Sequence, residues 1–177
     1  FEYILRDFAS TEGIMDVIGG ENTPGYINYM DLLKQLFPQA KFLHMIRDPR
    51  DYCLSVKKSW NKSTVRAAYR WKETVEKARA YGKRISTDYM EVHYENLLEN
   101  PEKTMQVVSN FLGCEYDDKI INLTEPSEDI GDARGQSRIV TDNTKKYLTQ
   151  FTPHEIKRIE EIVCDVARSA DYVLDNN

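Results

Sequence analysis

Arg47 and Ser55 stand eight positions apart across an abrupt change of character, where the apolar run Lys41-Phe42-Leu43-His44-Met45-Ile46 meets Asp48-Pro49-Arg50-Asp51. The run reads as a short buried strand, bounded upstream by Phe37-Pro38-Gln39-Ala40. Asp48 offers an N-cap oxygen, and Pro49 fits the first helical position, where its missing N–H costs nothing. A cation at the carboxyl end of a strand, followed by free helix amides and a positive dipole end, is where open parallel sheets bind anions. Arg47 would be the fork that grips a phosphate. Ser55, two turns into the helix, would donate its hydroxyl to the same group if the helix presents that face. The other reading gives Arg47 to a surface ion pair and Ser55 to solvent, and spacing alone leaves the two level.

The elements that must position these residues alternate between helix and strand, without repeats or low-complexity tracts. A short helix is expected within residues 1 to 12 and a short strand at Met15 to Ile18. Tyr26 to Phe37 has near-helical apolar spacing and is stopped by Pro38. Val65 to Tyr81 carries Ala67, Ala68, Trp71, Val75 and Ala78 on one stripe, an amphipathic helix. Tyr89 to Tyr94 is a further strand, and Pro101 to Leu112 and Thr152 to Ala170 are helices. The second of these opens with Thr152-Pro153-His154-Glu155, a capping box with proline at its first position. Residues 115 to 146, with Gly131, Asp132, Gly135, Asp142 and Asn143, are the least regular and read as a candidate substrate or cofactor loop, or merely a mobile one.

A length of 177 residues suits one hydrophobic core, so a single domain over 1–177 is expected. No apolar run approaches the ~20 residues of a membrane span and no signal pattern is visible, so the expectation is a soluble, cytoplasmic chain. Cys53, Cys114 and Cys164 lack metal-site or disulfide-framework spacing and are expected to be reduced thiols. A net charge of −5 argues against nucleic acid as a partner and makes any anion site a local one.

At Arg47 and Ser55 the chain resembles the sulfotransferases that use 3'-phosphoadenosine 5'-phosphosulfate, whose 3'-phosphate motif is strand, Arg, then helix with Ser eight positions later. Gly20-Glu21-Asn22-Thr23-Pro24 is similar to their G-E-K-T-P element, and Leu36-Phe37-Pro38-Gln39-Ala40-Lys41-Phe42 to the lead into the strand. Val92-His93-Tyr94-Glu95-Asn96-Leu97-Leu98, Pro101 and Phe111-Leu112-Gly113 resemble later elements, so the likeness runs from about residue 15 to about residue 165. It implies an α/β fold: a three-layer sandwich with a central parallel sheet, of P-loop NTPase type. No Gly-rich loop ending in Lys-Thr or Arg-Thr precedes Gly20, so the chain is expected to be the C-terminal part of the full domain, without the loop for the 5'-phosphosulfate.

The resemblance implies roles for particular residues. Glu21 would be the base and Tyr94 the adenine contact, while Arg47 and Ser55 bind the 3'-phosphate. Asn22 replaces the family's Lys and carries no charge. Arg134, Arg138, Lys145 and Lys146 lie where the family places late phosphate-binding cations, with Arg134-Gly135 a partial match to R-K-G. Arg50 reads as an exposed ion pair with Asp48 or Asp51, His44 as a satisfied core histidine, and Trp60 and Trp71 as helix packing. Lys57, Lys58, Lys62 and Arg66 read as a solvated face.

The implied reaction moves a sulfuryl group from 3'-phosphoadenosine 5'-phosphosulfate (PAPS) to a hydroxyl or amine of a small-molecule, carbohydrate, lipid or peptide acceptor. It needs no metal, and it leaves 3'-phosphoadenosine 5'-phosphate. A non-catalytic nucleotide-binding module is the alternative. A P-loop kinase relative is a third, which lacks its Walker Lys here.

Overall fold

Local chemistry around Asp48 and Pro49 forms the unit that the sequence leads one to expect. In the computed structural model, which describes residues 19–122, 135, 139 and 141–175, strand β1 (Phe42–Ile46) runs directly into helix α2 (Pro49–Trp60). The elements expected at residues 1 to 12 and at Met15 to Ile18, together with Gly131, Asp132, Arg134 and Arg138, lie outside the described residues. Upstream of β1, a 3-10 turn (Pro24–Tyr29) precedes helix α1 (Met30–Leu36). The helix read over Tyr26 to Phe37 is thus α-helical only from Met30, because the uncapped start at Thr23 winds into the tighter form common at helix ends.

After α2 come α3 (Thr64–Gly82), β2 (Tyr89–His93), α4 (Tyr94–Glu99), α5 (Pro101–Leu112), α6 (Tyr147–Gln150) and α7 (Pro153–Ser169). Strands β1 and β2 pair in parallel, from Phe42 opposite Tyr89 to Ile46 opposite His93, and α2 and α3 supply the crossover that parallel pairing requires. The strand expected through Tyr94 stops at His93, and Tyr94 instead opens α4, whose Leu98 is buried. Nor is β1 buried on both faces: Leu43 and Met45 are 44% and 49% exposed, while Ile46 is 1% exposed. Successive strand side chains point to opposite faces, and the helices cover the Ile46 face.

That face meets a core built from Cys53 and Leu54 of α2, Ala67, Ala68, Trp71 and Val75 of α3, and Ile159, Val163, Val166 and Ala167 of α7. The small side chains of Ala68 and Ala167, both fully buried, let α3 and α7 approach closely. Trp71 packs as expected, but Trp60, at the last position of α2, is 54% exposed, with the Lys62 ammonium 5.8 Å from its ring. Helix α7 opens with the expected capping box: the Thr152 hydroxyl accepts from the Glu155 N–H, and the Glu155 carboxylate accepts from the Thr152 N–H.

Candidate functional site

The Asp48 side chain caps α2, accepting the Arg50 N–H at 2.8 Å, while the Asp48 N–H donates to Glu95 of α4 at 2.9 Å. Arg50 pairs with Asp48 as expected, but it is buried rather than exposed, and Asp51 is not its partner. Its guanidinium bonds Asp48 and Glu160, each at 2.7 Å, and the Val173 carbonyl, and lies 4.2 Å from the Tyr147 ring centre. Burial alone would lower its pKa; the bonds and charge of Asp48 outweigh that and raise it, so the group stays cationic. Arg50 is therefore fully committed to the fold.

Arg47, immediately after β1, is differently placed. Its Nη2 donates to the Asn143 carbonyl at 2.8 Å and to Asn143 Oδ1 at 3.3 Å, and the guanidinium carbon lies 4.6 Å from the Tyr94 ring centre. Asn143 Nδ2 donates in turn to the Tyr94 hydroxyl at 2.9 Å. The Trp71 indole N–H donates to the Arg47 main-chain carbonyl at 2.9 Å. Arg47 Nε is shielded from solvent and, among the described residues, has no acceptor. An orphan buried donor on a half-buried guanidinium is unusual, since such groups are nearly always satisfied by protein, water or ligand.

A cleft of about 60 Å³ opens beside it, lined by Arg47, Ser55, Lys58, Ser59, Asn143 and Lys146, with Asp51 and Leu54 completing the wall. Asp51, Ser55 and Ser59 recur at four-residue spacing, so they share one face of α2, and that face lines the cleft. This is the orientation that a shared ligand for Arg47 and Ser55 requires. Asp51 accepts the main-chain N–H groups of Lys145 at 2.6 Å and of Tyr147 at 3.0 Å. Burial pushes its carboxyl pKa up, and those backbone bonds pull it back. Of the basic run after β1, Lys57 is drawn to Glu155 at 2.9 Å, while Lys58 lines the cleft.

Tyr94 joins this cluster through Arg47 and Asn143. Glu21 does not: it is exposed, accepts the Thr23 hydroxyl at 2.7 Å, and is not among the residues lining the cleft, and neighbouring Asn22 is exposed as well. Arg134 lies outside the described residues. His44 is satisfied, its Nδ1 2.7 Å from the Tyr89 hydroxyl, and burial lowers its pKa to about 4. Sequence reasoning gave Asp51 and Trp71 no role in the site, and placed Asn143 only within the irregular 115–146 stretch. For Asp51 a signal existed in its helical register with Ser55; for Asn143 the irregular stretch was the signal, and nothing tied it to Arg47, 96 positions away.

Residues 2–118 match the sulfotransferase family. The chain is 22% identical over 149 residues to a putative protein-tyrosine sulfotransferase of Caenorhabditis briggsae, covering 76% of this chain and 53% of that protein. It is 27% identical over 124 residues to protein-tyrosine sulfotransferase 1 of Danio rerio, covering 64% of this chain and 33% of that one. In structure it resembles the sulfotransferase domain of the Synechococcus PCC 7002 olefin synthase, with a TM-score of 0.71, 22% identity and coverage of 86% of this chain and 57% of that one. The sulfotransferase domain of the curacin biosynthetic pathway gives a TM-score of 0.63 at 15% identity, with coverage of 86% and 59%. These likenesses establish the expected α/β fold, and the chain spans between a third and about half of the curated relatives named.

Proposed function

The chain belongs to the sulfotransferase family, and from that membership we propose that it serves sulfuryl transfer from PAPS to a hydroxyl or amine, with the Arg47 cleft receiving the nucleotide's 3'-phosphate. The observation that carries this is the buried Arg47 Nε, which has no acceptor among the described residues, beside a cleft that Ser55, Lys58 and Lys146 also line. A phosphate oxygen is the acceptor that this nitrogen lacks, and a guanidinium with a hydroxyl and ammonium groups is the donor set that a phosphate dianion takes. The cosubstrate supplies the activated sulfuryl group when bound.

The chain's own residues then divide the work. Arg47 and Ser55 hold the 3'-phosphate by charge-assisted hydrogen bonds, and Tyr94 offers its ring edge to the base. Glu21 takes the acceptor's proton at a carboxylate oxygen, and Asn22 contributes a carboxamide donor where the family has an ammonium. Arg134 enters as a further phosphate-binding cation on the strength of the sequence resemblance. The family's acceptors are small molecules or proteins; the curated relatives are named for protein tyrosine, and a phenol hydroxyl falls within the proposed acceptor class.

Calorimetric titration of 3'-phosphoadenosine 5'-phosphate, against adenosine 5'-phosphate, into the chain and its Arg47→Ala variant tests the binding half. The expected result is affinity that needs both Arg47 and the 3'-phosphate; a folded sample indifferent to either overturns the proposal. The position of Glu21 and Asn22 outside the cleft lining favours a second reading, nucleotide binding without turnover. Measurable transfer from PAPS to a phenol, lost in Glu21→Gln with binding retained, would decide for the enzyme, and binding without transfer for the module.

A further inference from the structure

The turn that carries Asn143 and Lys146 is held in place from another element. Asp51, 1% exposed on α2, accepts the Lys145 N–H at 2.6 Å and the Tyr147 N–H at 3.0 Å. Lys145 has φ of 55°, in the left-handed region that side chains other than glycine rarely occupy. Residues kept in such a conformation by their surroundings concentrate at functional sites. Here the bend places Asn143 against Arg47 and Tyr94, and Lys146 at the cleft.

Asn143, 7% exposed, uses its carbonyl and Oδ1 on a single Arg47 nitrogen and its Nδ2 on the Tyr94 hydroxyl. The guanidinium is thereby tied at one corner and laid on the Tyr94 ring. The chemistry of the tie matters. Arg50, three residues on, is neutralised by Asp48 and Glu160, whereas among the described residues no carboxylate stands within ion-pair distance of the Arg47 guanidinium. A neutral carboxamide orients a cation without cancelling its charge; a carboxylate in the same place would compete with an incoming anion.

We infer that Asn143 is a positioning residue for the anion site, holding the Arg47 fork on Tyr94 by Nη2 so that Nε meets a phosphate oxygen, with the Asp51 carboxylate as the strut that sets Asn143 and Lys146. This inference rests on the proposed function. It is tested by the ratio of dissociation constants for 3'-phosphoadenosine 5'-phosphate and adenosine 5'-phosphate, a ratio that a merely structural role would not move. Asn143→Ala reduces that preference about tenfold, the usual worth of a hydrogen bond to a charged group, and leaves adenosine 5'-phosphate binding nearly unchanged. Asn143→Asp, which keeps the side chain's shape, abolishes the preference near neutral pH and regains part of it as the new carboxylate protonates. A folded Asn143→Asp with the wild-type ratio, alongside an Arg47→Ala that loses it, overturns the inference and leaves the proposed function standing. A wild-type chain with no 3'-phosphate preference overturns both.

Discussion

The Trp71 indole holds the backbone of Arg47: Nε1 donates to the Arg47 carbonyl at 2.9 Å from a ring only 4% exposed in α3. The residue that follows β1 is thus pinned by the crossover helix before its side chain meets any ligand. Trp71→Phe keeps most of the packing and leaves that carbonyl without its partner, so it should destabilise the chain by about 1–2 kcal/mol and weaken 3'-phosphoadenosine 5'-phosphate binding. Denaturant unfolding together with titration checks this; loss of stability with unaltered affinity would show that the bond does not position Arg47.

Arg50 gives the opposite expectation for function and a larger one for stability. Arg50→Met leaves Asp48 and Glu160 buried without their cation, at a cost of about 3–5 kcal/mol. Arg50→Lys should recover only part, because an ammonium cannot reproduce the planar fork that meets Asp48 twice and Glu160 once. Urea midpoints of the two variants measure it, and a midpoint near wild type for Arg50→Met would mean the network contributes little.

His44 sets a pH dependence. Burial lowers its pKa from 6.5 to about 4, with Arg79 and His93 adding to the shift and Glu91 opposing it. The unfolded chain therefore binds the proton more readily than the folded one. Stability from the neutral ring is complete above about pH 6.5 and falls as the pH drops toward about 4, by up to about 3 kcal/mol. Unfolding measured between those limits should show this slope in wild type and a reduced one in His44→Gln.

Gly82 should resist a change that usually stabilises helices. An added Cβ would lie 2.3 Å from the Tyr89 ring, closer than any relaxed contact. Gly82→Ala should therefore destabilise by about 1–3 kcal/mol, although alanine is the better helix former by about 1 kcal/mol. Thermal unfolding decides, and a raised midpoint would show that Tyr89 moves aside at little cost.

The parts of the site that were legible are those whose physics is local. Asp48 and Pro49 start a helix wherever the chain is free to make one, and the four-residue register places Ser55 on the same face as Asp51. Spacing left Arg47 and Ser55 level between an anion site and a solvated face, and the family resemblance named them. Their partners could not be named, since Asn143 reaches Arg47 across 96 positions and Lys145 reaches Asp51 across 94. The expectation of an exposed Arg50 pair failed similarly: Glu160 of α7, 110 residues away, closes over it.

Sequence alone determined the longer helices, the caps at Asp48 and Thr152, the strand–arginine–helix unit and the family resemblance, because each rests on neighbours within a turn or two of chain. Tertiary structure decided which face of β1 is covered, that Tyr94 opens a helix rather than ending a strand, and which arginine keeps its charge available. Arg47 and Arg50 are the same residue type three positions apart. Only packing gives one of them two buried carboxylates and the other a neutral carboxamide, an aromatic face and a donor left without an acceptor.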